Sequence, residues 1–335
     1  MILDSNLVYL IYAGGTFGSH GTPLKPLPSP VFLPILQELI NKKITNKVMV
    51  LDNDIVKDSS ALTPSDFVHF YQLIKNAYQK GLRRCVLLTG TDSLSFASAF
   101  LANALVDLPD LSLIITGAMQ PLLISDALPY VINDDSDAWQ NLSNSIANLT
   151  NVGVMVHFFG QTFWANNTQK LHSHDNNAFV GTAIQQSTTP KVYSYPPTHH
   201  AILTNPEKID AINIRAIYLL PNNPNHLIHE LSTIIEYNVD AVILIAFGAG
   251  NITKTDKLIA QLENLYQRQI PVICTSMCML GGVSTTYQAG SWQYQHGVLS
   301  GGELGVAGIY GKLLWLIVSG NLNASAWNGY ESPSI

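Results

Sequence analysis

Leu7-Val8-Tyr9-Leu10-Ile11-Tyr12-Ala13-Gly14-Gly15-Thr16-Phe17-Gly18 is an apolar run that breaks into a glycine-rich turn. A short continuous apolar run bounded by turn residues reads as a buried strand. The same design recurs as Cys85-Val86-Leu87-Leu88 followed by Thr89-Gly90-Thr91-Asp92-Ser93. Two glycine-rich turns at strand ends can bring two hydroxyls to one crevice, where open α/β sheets bind ligands. Gly-Gly-Thr-Phe-Gly has neither the G-x-G-x-x-G order nor a Gly-Lys-Ser/Thr ending, so the turn suits attack on a carbonyl better than phosphate binding.

Working outward, residues 47–51, 113–116 and 152–156 are further strand candidates in the first half. Between them Thr63 is a plausible helix N-cap, with Pro64 at the first helical position and Asp66 at the positive helix start. Phe67, Phe70, Tyr71, Ile74 and Tyr78 recur at helical spacing until Gly81 ends the run. A second helix is expected over residues 94–105. Alternation of strands and helices predicts an α/β fold with a mostly parallel sheet and crossover helices. Polar and proline-rich sequence around Gln185-Gln186-Ser187-Thr188-Thr189-Pro190 and Tyr195-Pro196-Pro197 reads as a connection. Strands are expected again at 216–220, 241–245 and 271–274, with helices at 226–237, 255–268 and 304–318. The expected organisation is a larger N-terminal α/β domain over 1–190, a linker over 191–212 and a smaller C-terminal α/β domain over 213–335.

A chain of 335 residues favours two domains. Its charged share is only 12%, about half the usual value, so part of the surface is a candidate for burial between subunits. The net charge of -6 and the lack of a Lys/Arg cluster argue against a nucleic-acid partner. No apolar stretch approaches the ~18 residues of a membrane span. The start, Met1-Ile2-Leu3-Asp4-Ser5-Asn6, lacks the positive and apolar regions of a signal peptide, and the expectation is a cytoplasmic protein. Cys274-x-x-x-Cys278 has no second pair to complete a zinc site, and Cys85 stands alone, so reduced thiols are expected.

Among residues able to carry chemistry, Thr16 is a potential nucleophile if a base takes its proton. Its alternative is an ordinary strand-to-helix turn. Thr91 and Asp92 pair a hydroxyl with an acid able to bind an ammonium. Equally, Asp92 or Ser93 can cap the helix that follows. Ser59 and Ser60, in Asp58-Ser59-Ser60-Ala61, can hold a carboxylate or simply shape a loop. Lys170 is the only Lys or Arg between Arg84 and Lys191. A lysine so isolated, if buried, can be tuned by desolvation to serve as a base. His172-x-His174-Asp175 has no helix period and no third distant ligand, so no metal is expected, and His199-His200 reads as a polar pair.

At these residues the sequence resembles the bacterial-type L-asparaginase family, in its cytoplasmic (type I) branch, from about Leu7 to Leu316. The family's Thr-Gly-Gly-Thr-Ile motif corresponds to Ala13-Gly14-Gly15-Thr16-Phe17, and His-Gly-Thr-Asp-Thr to Thr89-Gly90-Thr91-Asp92-Ser93. Asp58 through Pro64, Thr116-Gly117-Ala118-Met119-Gln120-Pro121, Asp137 through Leu142 and Thr168 through Phe179 match further motifs in order.

The resemblance implies a two-domain fold and hydrolysis of L-asparagine to L-aspartate and ammonia. It implies Thr16 as primary nucleophile and Thr91, Asp92 and Lys170 as the activating constellation. Ser59, Ser60, Thr91 and Asp92 would hold the substrate's α-carboxylate and α-ammonium, and backbone near Thr91 and Ala118 the oxyanion. No cofactor or metal is implied, and a homodimer or homotetramer is. The chain departs from the pattern at Ala13, Ala61, Thr89 and Ser93. The loop after Thr16, residues 18–26, lacks the family's lid tyrosine, with Thr22 as a speculative substitute. Two other readings stay open: an asparagine- or aspartate-binding regulatory protein that has lost turnover, and an ammonia-supplying amidotransferase subunit.

Overall fold

The structure, a computed structural model, describes residues 7–184 and 195–328. The expectations for Met1–Asn6, for the connection at Gln185–Pro190 and for the start of the linker lie outside the described residues. The chain divides into two compact units, residues 1–190 and 191–335.

The first unit begins with β1 (Leu7–Tyr12), the small hairpin β2 (Ser19–His20) and β3 (Lys25–Pro26), and α1 (Ser29–Lys43). It continues through β4 (Lys47–Val50), α2 (Pro64–Gln79), β5 (Arg84–Leu88), α3 (Leu94–Ala104), β6 (Ser112–Thr116) and α4 (Asp137–Ala147). It closes with β7 (Gly153–Phe158), β8 (Gln161–Trp164) and the pair β9 (Gln169–Lys170) and β10 (Phe179–Val180). Six strands form one sheet in the order β4-β1-β5-β6-β7-β8. All neighbours are parallel except β7 and β8.

That order decides where a ligand can sit. From β1 the chain steps to β4 on one side, then crosses to β5 on the other. The loops leaving β1 and β5 therefore diverge, and a crevice opens at their C-terminal ends. Register places Tyr12 beside Leu88, so the two threonine turns leave the sheet side by side.

The core strands form as expected because both of their faces are covered. Val8, Leu10, Val86, Leu88 and Ile114 pack with Phe32, Leu36 and Leu142 of α1 and α4. The alternate residues Ile11, Cys85, Leu87, Leu113 and Ile115 are also buried. In α2 the Asp66 carboxylate accepts the Thr63 N–H at 2.9 Å, and Phe67, Phe70, Tyr71 and Ile74 are buried. The sequence gives no expectation of α1, whose start holds Pro28 and Pro30 and whose body holds Pro34. Pro30 falls in the first turn, where no intrahelical N–H is required.

The second unit contains α5 (Pro206–Asp210), β11 (Ile214–Tyr218), α6 (Pro224–Glu236), β12 (Ala241–Ala246) and α7 (Asp256–Gln267). There follow β13 (Val272–Ser276), α8 (Gln288–Ser291), β14 (Val298–Ser300), α9 (Val306–Val318) and α10 (Ala324–Asn328). Its sheet is parallel throughout, in the order β11-β12-β13-β14. Val242, Leu244 and Cys274 pack on Leu231, Leu258 and Leu262, while Ile243, Ile245 and Ile273 pack on Ile309, Leu313 and Leu316. Residues 195–212 lie against the end of α9, where Thr198 and Ile202 donate their N–H groups to Ser319 and Val318 at 2.9 Å. Cys85 and Cys274 are buried and Cys278 is exposed, all as free thiols.

Candidate active site

The two threonine turns meet backbone to backbone. Gly15 has φ of +76°, and a Cβ built there would lie 2.2 Å from both the Cα and the N of Gly90. Only glycine fits such an approach in that conformation. A third segment is stitched to the first turn: Gly15 donates its N–H to the Lys57 carbonyl at 3.0 Å, and Lys57 donates to the Ala13 carbonyl at 3.2 Å. Thr16 opens a short 3-10 turn over Thr16–Gly18. Phe17 anchors it, buried edge-on against Phe32 with ring centroids 6.1 Å apart. The Thr16 side chain is half-buried, and no hydrogen bond engages its hydroxyl among the described residues.

Thr91 is 7% exposed. Lys170, carried on β9, donates from Nζ to Thr91 Oγ1 at 2.9 Å and to Asp92 Oδ1 at 2.7 Å. The lysine singled out by its isolation in the sequence thus faces a hydroxyl and a carboxylate together. Ser59 is buried, and its Oγ accepts the Asp92 N–H at 3.1 Å. The Ser93 hydroxyl donates to the Ser59 carbonyl at 2.6 Å. It makes no cap bond to the start of α3, so the capping alternative for Ser93 is not what its side chain does. Ser60 is exposed and donates its hydroxyl to Asp58 Oδ1 at 2.7 Å, with Asp58 capping the turn at Ser59–Ala61.

A third turn follows β6. A Cβ built on Gly117 would lie 2.3 Å from the Thr89 carbonyl and 3.7 Å from Thr91 Cγ2, so this turn adjoins the second. Ala118 is fully buried there. Asp137, at the first turn of α4, accepts the N–H groups of Met119 and Gln120, each at 2.9 Å. Asn141 donates to the Gly117 carbonyl at 3.1 Å and to Asp137 Oδ2 at 3.0 Å. Burial pushes the Asp137 carboxyl up against the pull of those donors.

Thr91, Asp92, Lys170 and Ser59 therefore form one bonded cluster, with Thr16 and Ala118 on turns pressed against it. Ser60 neighbours the cluster but turns its hydroxyl away. Thr22 is exposed and donates to Asp126 Oδ1 at 3.0 Å, on the loop between β6 and α4. His172 Nδ1 accepts the N–H groups of His174 and Asp175 at 3.0 and 2.7 Å, which shapes a turn. Among the described residues no group of three His, Cys, Asp or Glu is placed to hold a metal ion.

Sequence reasoning missed Lys57, Asp137 and Asn141 as site supports. Lys57 Nζ donates to both Asp66 oxygens, at 2.9 and 2.8 Å, and so closes the serine loop onto the start of α2. The spacing Asp137-x-x-x-Asn141 at a helix start was the one readable signal for the other two.

Comparison with known proteins identifies the family to which this fold belongs. Residues 7–193 match the family model described as Asparaginase, N-terminal, and residues 213–326 that of the Glutaminase/Asparaginase C-terminal domain. The chain is 24% identical over 329 residues to a protein named L-asparaginase 1 from Escherichia coli K12, covering 94% of this chain and 93% of that one. L-asparaginase I from Vibrio cholerae has the same fold, with a TM-score of 0.75 at 24% identity and 97% of each chain covered. So does a probable cytoplasmic L-asparaginase from Campylobacter jejuni, with a TM-score of 0.69 at 18% identity over 97% of this chain and 98% of that one.

Proposed function

The chain belongs to the asparaginase family, and from that premise we propose that it hydrolyses the side-chain amide of L-asparagine to L-aspartate and ammonia with threonine as nucleophile. The observation that carries the reading is the contact of Lys170 with Thr91, 2.9 Å long, at the end of the strand beside Thr16.

Thr16 Oγ adds to the amide carbon, and the carbonyl oxygen takes the negative charge. Backbone N–H groups of the Thr91 and Ala118 turns are the donors available to it, each worth roughly 3–4 kcal/mol in a preorganised site. Ammonia leaves as its nitrogen gains the proton released by the Thr16 hydroxyl, and an aspartyl ester remains on Thr16. Water then adds to the ester as its proton passes by way of Thr91, held by Lys170 and Asp92, to the departing Thr16 oxygen, which releases L-aspartate and restores the Thr16 hydroxyl. Ser59 Oγ accepts from Asp92 and keeps its own proton to donate to the substrate α-carboxylate. Ser60 turns its hydroxyl to that carboxylate once it leaves Asp58. Lys170 occupies Asp92 Oδ1, which leaves Oδ2 for the α-ammonium.

We further assign no metal or organic cofactor to the reaction, no nucleic-acid or membrane partner, a cytoplasmic setting and a homodimer or homotetramer. No described helix is long and apolar enough to cross a membrane. The low charged share of 12% supports assembly.

One observation favours a second reading, an aspartate-binding protein without turnover. Thr89 stands where the family motif has histidine, and its hydroxyl is buried with no partner among the described residues. Steady-state ammonia release from L-asparagine, D-asparagine and L-glutamine separates the two. The enzyme reading predicts release from L-asparagine above the others. The binding reading predicts thermal stabilisation by L-aspartate with no ammonia.

A further inference from the structure

Two segments beside Thr16 have little structure of their own. Residues 19–26 form the β2–β3 hairpin, paired only through Ser19 with Pro26 and His20 with Lys25. Strands so short do not hold an isolated hairpin. Residues 121–136 join the Ala118 turn to α4, and their described self-pairing centres on one bridge, Leu123 with Ile132. Irregular loops of this length in compact domains are mostly functional, often as lids.

Residues 17–22 and 122–130 bind each other at several points. Leu122 donates its N–H to the Phe17 carbonyl at 3.0 Å, at the root of the hairpin. Gly21 donates its N–H to the Ser125 carbonyl at 2.7 Å. Thr22 Oγ1 donates to Asp126 Oδ1 at 3.0 Å and Oδ2 at 3.2 Å. His20 Nε2 lies 3.2 Å from the Ala127 carbonyl, and its ring stands edge-on to Tyr130 at 5.0 Å. Phe17 follows Thr16 directly, so the hairpin springs from the nucleophile's own turn while its tip is held by the other loop.

We propose that Asp126 is a positioning residue, the latch of a two-part lid in which residues 19–26 and 121–136 move together over the pocket beside Thr16. The latch is suited to reversible use. Phe17 at the root is buried, whereas Thr22 and Asp126 at the tip are exposed, so water competes for the tip first. Opening at the tip admits substrate and releases product, and closing excludes water from the ester. The kinetic consequence rests on the amide-hydrolase reading; the coupling of the two loops does not.

Three variants and one double variant test the latch: Asp126→Ala, Asp126→Asn, Thr22→Val, and Asp126→Ala with Thr22→Val. The two disabling single variants are expected to lower kcat/KM for L-asparagine about 3- to 10-fold each, mostly through KM. The double variant is expected to lose no more than either single, because both remove the same contact. Asp126→Asn keeps an oxygen acceptor for the Thr22 hydroxyl and should recover most of the loss. Amide hydrogen exchange should quicken over residues 19–26 and 121–136 in Asp126→Ala and stay unchanged in β1 and α3. The latch is overturned if Asp126→Ala alters neither kinetics nor exchange, if the single effects multiply, or if Asp126→Asn is as impaired as Asp126→Ala. A kcat loss in Thr22→Val far beyond that of Asp126→Ala also overturns it, by assigning Thr22 to the chemistry. Should the wild type release no ammonia, the hydrolase reading fails, and the exchange measurement still decides the latch.

Discussion

The Lys170 ammonium meets the Thr91 hydroxyl at 2.9 Å across 79 residues of sequence. Its second bond, to Asp92 at 2.7 Å, leaves it anchored by one carboxylate and aimed at one hydroxyl. Lys170→Met removes both bonds with little change in volume. On the proposed mechanism, loss of the group that holds Thr91 for proton transfer should lower kcat for L-asparagine by about 10²–10⁴. Lys170→Arg is expected to rescue little, since a guanidinium projects a wider fork than the single ammonium that meets one hydroxyl and one carboxylate here. Steady-state kinetics of the two variants check this.

Lys57 serves the serine loop from outside the pocket. Its backbone pairs with the Gly15 turn, and its ammonium holds Asp66, whose side chain is 6% exposed. Lys57→Met should loosen Ser59 and Ser60 and raise KM for L-asparagine several-fold with kcat nearly kept, the pattern of lost uniform binding. An equal fall in kcat would contradict a role confined to substrate binding.

Asp137 accepts two backbone N–H groups of the Ala118 turn and one amide of Asn141. Asp137→Asn turns one acceptor oxygen into a donor facing donors. The cost should be about 1–3 kcal/mol of stability, read from denaturant unfolding, with activity falling as the turn loses its geometry.

His157, on β7, is 1% exposed, and burial lowers its pKa from 6.5 to about 4. The unfolded chain therefore binds a proton that the folded chain refuses between those values. Stability from this group is fully present above pH 6.5 and is lost as pH falls toward 4, by up to roughly 3 kcal/mol. Its Nδ1 meets Thr162 Oγ1 at 2.8 Å, a contact that glutamine can imitate. His157→Gln should flatten unfolding free energy across that window; an unchanged slope would assign the acid sensitivity to other groups.

Much of this molecule was legible because its central strands are covered on both faces. The runs at β1, β5, β6, β12 and β13 are continuous and apolar, and α2 carries both a start signal and a helical stripe. The pair β9–β10 and the strand β14 are two or three residues long, with no period to read. Lys170 was nonetheless identifiable, by its isolation among neutral residues rather than by its strand. Lys57, Asp126 and Asp137 were not, because each meets partners that only the fold brings to it. Ser93 shows the same limit: its place before α3 suggests a cap, while its hydroxyl donates to the neighbouring Ser59 carbonyl instead.

Ammonia release from L-asparagine by the purified protein, measured beside Thr16→Ala and Thr91→Val, bears most directly on the threonine mechanism. The wild type should release ammonia and L-aspartate in equal amounts, and each variant should fall by about 10³-fold or more. A folded wild type that binds L-aspartate without releasing ammonia, or a Thr16→Ala protein that turns over undiminished, would contradict it.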